Sequence, residues 1–253
     1  MDRTQNINTG MVLAAGLGTR MRPITDNIPK PLVSVAGKTL LDRALDALAA
    51  GGVKRAFLNV HYLADQIEQH VDARSLPEIL ISDERSELLD SGGGVKKAIA
   101  DEPDGPLIIL NGDSFWIDED SSNIQRMKSL WDPEAMDMLL LVAAKNQAVG
   151  YDGAGDFFID DRQILARRND AETAPYIYAG AIITRIGNIR SVSDTKFSLN
   201  HLFDKAIQRN RLYGCRLDGL WLHVGTPASI EEAELAIDRH AANSGPNSDI
   251  KDT

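Results

Sequence analysis

Cysteine is almost absent: Cys215 is the sole one in 253 residues. An internal disulfide and a multi-cysteine zinc site are thereby excluded, and a lone thiol fits a reducing compartment. Positive charge is in the minority, with 27 Lys and Arg against 37 Asp and Glu and a net charge of −10. A chain this acidic is a poor general binder of nucleic acid or of an anionic membrane surface, because both are polyanions. Long apolar runs are missing too. The stretches Met11–Ala15 and Met138–Ala144 fall far short of the roughly 20 apolar residues that span a bilayer. The first ten residues, MDRTQNINTG, lack the apolar segment of a signal peptide. There is no internal repeat and no linker-like shift in composition. What is present is an ordinary globular balance, 43% apolar and 25% charged, long enough to bury a core. These features predict a soluble, cytoplasmic protein with one domain over 10–242, a flexible N-terminus over 1–9 and a disordered tail over 243–253.

Apolar periodicity predicts alternating strands and helices in the first half. MVLAA (11–15), RAFLNVHY (55–62), EILIS (78–82) and PLIILNGD (106–113) read as strands. Leu40, Leu41, Ala44, Leu45 and Leu48 repeat at helical spacing, and Gly51-Gly52 closes that helix. Leu63, Ile67 and Val71 mark a second helix, and SGGGVKKAIA (91–100) opens a third. The second half is strand-rich, at 137–144, 157–160, 163–168, 176–184 and 212–224. Helices are expected at about 197–210 and from Ala228 to about Ala242, the last one capped by Thr226-Pro227. Such alternation predicts an α/β fold, Rossmann-like, with a mixed, mostly parallel sheet and helices on both faces.

The loop Gly16-Leu17-Gly18-Thr19-Arg20 follows the first buried strand. Glycines let backbone amides approach an anion closely. The loop is not a dinucleotide fingerprint, since Met21 stands where the third glycine belongs and prolines follow in place of a helix. It is not a Walker A loop, which needs Lys and Ser/Thr after its last glycine. Arg20, Arg22 and Lys30 follow closely, with Lys30 between Pro29 and Pro31, which restrict its backbone. Each cation alone reads as a surface charge; clustered behind a glycine loop in an acidic chain, they point to phosphate. Asp113 closes Asn111-Gly112-Asp113 at the carboxyl end of a buried strand, where ligands bind in open parallel sheets. A carboxylate there can hold Mg²⁺ together with substrate phosphates, or simply cap a turn.

The run Leu13-Ala14-Ala15-Gly16-Leu17-Gly18-Thr19-Arg20-Met21, continued by Pro23, Thr25 and Pro29-Lys30-Pro31-Leu32, resembles the signature of sugar-1-phosphate nucleotidyltransferases, and the resemblance extends over about 10–237. It implies that Leu13, Ala14, Ala15, Gly16, Gly18 and Thr19 wrap a nucleoside triphosphate together with Asn111, and that Arg20 and Lys30 contact its phosphates and act in catalysis. It implies that Asp113 holds Mg²⁺ and acts in catalysis, and that Gly92 and Gly93 lie against the nucleobase, with Asp83 and Glu84 near the same pocket. Tyr178, Gly180 and Asn200 are the implied sugar contacts. One departure stands out: in Trp221-Leu222-His223-Val224-Gly225, His223 occupies the place of an acidic second metal ligand. Imidazole suits transition metals better than Mg²⁺, and Asp218 faces the other side of a strand that carries His223, so His223 is the expected neighbour of the metal.

The segments His61–Ile67, Leu89–Gly94 and Asn111–Ser114 place the chain near a branch of this family that transfers UMP from UTP to N-acetylmuramic acid α-1-phosphate, in the reuse of cell-wall sugar. Guanylyl transfer to mannose 1-phosphate is the neighbouring alternative, and a non-catalytic nucleotide or sugar-phosphate sensor is the alternative outside enzymes. Both substrates are small molecules; no nucleic acid or membrane partner is expected, and nothing in the sequence fixes an oligomeric state.

Overall fold

The structure is a computed structural model that describes residues 7–170 and 172–244. Its central sheet is built on β1 (Thr9–Leu13), whose Met11 and Val12 are fully buried. After β1 come a short hairpin, β2 (Ser34–Val35) and β3 (Lys38–Thr39), then α1 (Leu40–Ala50), β4 (Arg55–Val60), α2 (Ala64–Val71), β5 (Glu78–Asp83) and α3 (Asp90–Ala98). β6 (Pro106–Asn111), β7 (Ser114–Asp118), α4 (Asn123–Leu130) and β8 (Met138–Ala144) follow. The remainder comprises β9 (Phe157–Ile159), β10 (Leu165–Arg167), β11 (Tyr176–Arg185), α5 (Ile186–Arg190), α6 (Asn200–Gln208), β12 (Leu212–Arg216), β13 (Gly219–His223) and α7 (Ala228–Ser244).

β6, β1, β4 and β5 lie side by side in that order, all parallel. Their near-continuous apolar runs are what strands covered on both faces require. The ten-residue β11 then pairs antiparallel with β6 and β8, and β12 adds parallel to β8. The start of β11 also carries β9 and β10. The sheet is thus mixed, parallel where the nucleotide half was predicted and antiparallel where β11 enters.

One face is covered by α1, α2 and α4 through Leu41, Leu45, Leu48, Ile67 and Met127. The other is covered by α3, α5 and α6 through Val95, Ile99, Ile189, Leu202 and Phe203. α1 spans the predicted stretch because its apolar residues share one face, and Thr39 caps it by accepting a 3.0 Å hydrogen bond from Asp42 N. Each of its buried leucines contributes about 2 kcal/mol relative to exposure.

Several elements differ from the sequence reading. The apolar region 212–224 is two strands belonging to two sheets. β12 extends the main sheet, whereas β13 turns away at Leu217-Asp218 and pairs antiparallel with β7. β7, α4 and α5 were not anticipated; their runs are short and interrupted by polar residues. β1 begins at Thr9 and Ile7 is fully buried, so the ordered chain starts ahead of residue 10. α7 runs to Ser244. The rest of the expected flexible terminus (1–6) and tail (245–253) lies outside the described residues. Among the described residues no helix is long and apolar enough to cross a membrane.

Candidate active site

β1 lies between β4 and β6, and its last residue, Leu13, is level with Asn59 on one side and Asn111 on the other. The chain leaves β1 toward β4 and later returns to its opposite side at β6, so the connections diverge at the carboxyl ends of β1 and β6. Ligand crevices open at such points. A cleft of about 600 Å³ opens there. Leu13, Ala14, Ala15, Gly16, Gly18, Thr19, Arg20, Lys30, Asn111 and Asp113, singled out from sequence, all line it. So do Asn59, Ser91, Lys196 and Gly225, which were not.

The loop after β1 is held by local chemistry. Gly18 has a φ of 63°, and a Cβ there would lie 3.0 Å from Lys30 Cβ and 3.1 Å from Thr25 Cγ2. Buried Thr25 donates from Oγ1 to Gly18 O at 2.8 Å, and Tyr62 Oη donates to Thr25 O at 2.9 Å. From behind, Asn59 Oδ1 accepts from Ala14 N at 2.8 Å while its Nδ2 donates to Glu84 Oε1 at 2.8 Å. Glu84, fully buried, also accepts from Leu89 N at 3.1 Å. A chain of hydrogen bonds therefore runs from the α3 entry through Glu84 and Asn59 to the nucleotide loop. A lone asparagine in the apolar run FLNV was the available sequence signal, since a buried amide needs partners. Glu84 thus lies beneath the cleft wall, and Asp83 is exposed and paired with Arg85.

Lys30 Nζ sits 3.0 Å from Asp113 Oδ2. Gly112, just before Asp113, lets the chain leaving β6 pass close to the end of β1: a Cβ there would come 2.5 Å from Leu13 O. Burial opposes ionisation of Asp113, but Lys30, His223 and Arg20 outweigh it and hold the carboxyl below its ordinary range. Arg20 has no ion-pair partner among the described residues, whereas Arg22 pairs with Asp26 at the surface. Lys196 enters the cleft from the segment before α6, a position no local pattern links to the loop.

His223 lies opposite Ser114 in the β7–β13 ladder, and Val224 N donates to Asp113 O at 3.0 Å. The histidine is consequently Asp113's neighbour. Its ring stacks on Trp221 at 6.0 Å, and its Nε2 sits where a Cβ on Gly225 would be 2.6 Å away. Desolvation lowers its pKa, with Lys30 and Arg20 adding to the effect against Asp113; the imidazole is neutral near pH 7. Asp218 lies at the far end of the ribbon, its backbone bonded to Asn123. Among the described residues no three His, Cys, Asp or Glu side chains form a metal cluster. Asp113 and His223 offer two donors, and Asp113 Oδ1 has no hydrogen-bond partner among the described residues. That set fits a divalent ion which takes most of its shell from phosphates and water.

Gly92 and Gly93 do not reach the cleft. Their amides both donate to Phe197 O, at 2.8 and 3.1 Å. A Cβ on Gly92 would be 2.3 Å from the Phe197 ring, and one on Gly93 would be 2.2 Å from Thr195 O. Glycine is needed there for close packing of α3 on the 195–197 segment. Tyr178 and Asn200 line a second cavity of about 280 Å³, which shares Ser91 and Asn111 with the main cleft. Tyr178 Oη donates to Asn111 Oδ1 at 3.3 Å, and burial pushes its phenol well above the usual value. Gly180 lines neither cavity. Its φ of 93° sits in the register shift between β11 and β8, and it lets Ser114 and Asn111 approach.

Comparison with known proteins agrees with this geometry. Residues 9–151 match the family described as nucleotidyl transferase. A Caulobacter vibrioides protein named N-acetylmuramate alpha-1-phosphate uridylyltransferase is 41% identical over 231 residues, covering 90% of this chain and 96% of that protein. A protein of the same name from Neisseria meningitidis serogroup B is 30% identical, over 88% of this chain and 96% of its own length. The crystal structure of HddC from Yersinia pseudotuberculosis has the same fold, with a TM-score of 0.71, 23% identity, and coverage of 91% of this chain and 100% of that one. With the loop signature, the strand-end carboxylate and two full-length relatives in agreement, the chain belongs to the sugar-1-phosphate nucleotidyltransferase family.

Proposed function

We propose that the protein transfers UMP from UTP to N-acetylmuramic acid α-1-phosphate, giving UDP-N-acetylmuramate and pyrophosphate. The observation that carries this reading is the meeting of Arg20, Lys30 and Asp113 in one cleft beside the loop after β1, in a chain 41% identical to a protein named for that reaction. An acceptor phosphate oxygen attacks the α-phosphorus, the bond from that phosphorus to the bridging oxygen breaks, and pyrophosphate leaves in line. The acceptor is already an anionic nucleophile, so no covalent enzyme intermediate is needed.

What this chain supplies is position and charge. Backbone amides of the loop after β1 face the triphosphate. Arg20 and Lys30 stabilise charge on the transferred and leaving phosphates, and Lys196 adds a third cation at the cleft wall. A fixed cation about 4 Å from a phosphate oxygen is worth roughly 4 kcal/mol at an effective dielectric of ~20. Asp113 orients Lys30 Nζ through their ion pair. Mg²⁺ would be held by Asp113 with His223 beside it and, when bound, supplies further neutralisation of phosphate charge. A cytoplasmic location accompanies this reading because the donor is drawn from the nucleotide pool; the product returns a cell-wall sugar to activated form.

The test is pyrophosphate release with Mg²⁺, pairing UTP, GTP, CTP and dTTP with N-acetylmuramic acid 1-phosphate, N-acetylglucosamine 1-phosphate and mannose 1-phosphate. UTP with the muramic acid phosphate should exceed every other pair by at least about tenfold. A preference for GTP and mannose 1-phosphate, or nucleotide binding with no release from any pair, overturns the proposal.

A further inference from the structure

The second cavity adjoins the main cleft at Ser91 and Asn111, and Arg20, Lys30 and Lys196 line the cleft but not the cavity. An acceptor whose phosphate meets Arg20 and Lys30 would point its sugar ring into that cavity. Its walls combine apolar Phe157, Leu199 and Phe203 and the Tyr178 ring, set edge-on to Phe203 at 5.5 Å, with polar side chains. Two charged residues line it. Asp156 accepts from Tyr178 N through Oδ2 at 2.9 Å, which ties its carboxylate to the backbone of β11. Arg167, from β10, is the cation.

Both side-chain hydrogen bonds of Arg167 go to α6. Its Nε donates to Asp204 Oδ1 at 2.8 Å, its Nη2 donates to Asn200 Oδ1 at 2.9 Å, and its Cζ lies 5.4 Å from the Phe157 ring centroid. Nη1 and the second hydrogen of Nη2 have no partner among the described residues. A guanidinium carries five N–H donors and can serve two carboxylates at once, the second in bidentate fashion. Here Asp204, Asn200 and Phe157 fix the plane and leave three N–H donors, two on Nη1 and one on Nη2, for a ligand. A phosphate is already provided for in the main cleft, so the group that fits this second cation is another anion carried by the sugar itself.

We infer that Arg167 is a specificity residue that binds the carboxylate of the acceptor sugar, namely the lactyl carboxylate of a muramic acid phosphate. This rests on the acceptor proposed above. The Arg167 side chain is 36% exposed, so a neutral sugar leaves it hydrated at little cost. The residue therefore adds affinity for the acidic acceptor and does little to exclude neutral ones. The effect should appear in the KM for one acceptor.

The experiment compares wild type, Arg167→Gln and Arg167→Lys with UTP and two acceptors. These are N-acetylmuramic acid 1-phosphate and N-acetylglucosamine 1-phosphate, which has the same ring with a hydroxyl in place of the lactyl ether. Hydrogen bonds to charged groups correspond to a change of about 10- to 100-fold. Arg167→Gln should lose that much kcat/KM on the muramic acid phosphate, through KM, with Arg167→Lys in between. Activity on the glucosamine phosphate and the Kd for UTP should each stay within about twofold. Equal losses on both acceptors, or a preference for the muramic acid phosphate that survives Arg167→Gln, overturns the inference and leaves the acceptor assignment standing. A wild-type enzyme that does not turn over the muramic acid phosphate overturns both.

Discussion

Replacing Lys30 with methionine tests the phosphate chemistry most directly. The side chain keeps much of its apolar length and loses only its charge. Lys30 is 12% exposed and lies 3.0 Å from Asp113 Oδ2; the bare Coulomb term at that separation is roughly 5 kcal/mol at an effective dielectric of ~20. Desolvation of both partners offsets most of it, so the net loss of folding stability should be about 1 kcal/mol. The catalytic loss is larger, because the same cation faces charge that grows in the transition state. Roughly 4 kcal/mol there corresponds to about 10³-fold in rate. Asp113 adds a pH signature. Its depressed folded pKa contributes stability that is fully present above the unfolded carboxyl value of about 3.9 and is lost as pH falls through the folded value. Without Lys30 that contribution shrinks, so the stability gap between wild type and variant should be widest near neutral pH and close as pH falls below the ordinary carboxyl range. Pyrophosphate release under saturating Mg²⁺ and urea unfolding across pH measure the two effects. A variant within tenfold of wild-type kcat/KM would refute the phosphate role of Lys30, and a stability gap independent of pH would refute its coupling to Asp113.

Other outcomes follow from the same structure. Asn59→Leu removes partners from Ala14 N and buried Glu84 and should cost roughly 2 to 4 kcal/mol in urea unfolding; a loss under 1 kcal/mol would show that this network does not hold the loop. Gly92→Ala forces a methyl against the Phe197 ring and should destabilise by about 1 to 3 kcal/mol with the Kd for UTP unchanged; weaker UTP binding at unaltered stability would return Gly92 to the nucleotide. His223→Asp supplies a second oxygen donor beside Asp113 and should lower the half-saturating Mg²⁺ by about five- to tenfold, read by calorimetry and by activity after chelator treatment. An unchanged Mg²⁺ requirement would place His223 outside the metal's reach. Burial pushes the Cys215 thiol up to about 11, so a thiol reagent at pH 8 should modify it only on unfolding; rapid reaction of the native protein would contradict its burial.

Much of this was legible because it is local. The glycine loop, its basic residues and the prolines around Lys30 form one stretch of sequence, and β1, α1, β4 and β6 are each announced by apolar periodicity. What was not legible depends on separate stretches meeting. Lys196 reaches the cleft from more than 160 positions beyond Lys30, with no pattern to link them. Gly92 and Gly93 read as ligand-facing backbone until Phe197 is seen above them. The split of 212–224 hangs on a turn at Leu217-Asp218-Gly219, where Gly219 has a φ of 113° and the Asp-Gly pair was the available signal; the partner of β13 is a strand whose mixed residues gave no clear alternation. His223 shows both sides. Its identity was plain from sequence, but its place beside Asp113 is set by a ladder with β7.

That ladder has a mechanical meaning. Asp113 and His223 are anchored to adjacent rungs, joined by the Val224 N to Asp113 O bond, so a displacement of one drags the other and their spacing is inherited from strand geometry. The final helix, α7, lies against this pair of strands. This helix thus acts as a brace for a carboxylate more than a hundred positions upstream. Cutting the chain ahead of Ala228 would spare every strand of the main sheet while loosening the very atoms that face the phosphates, so catalytic competence would disappear before the architecture does.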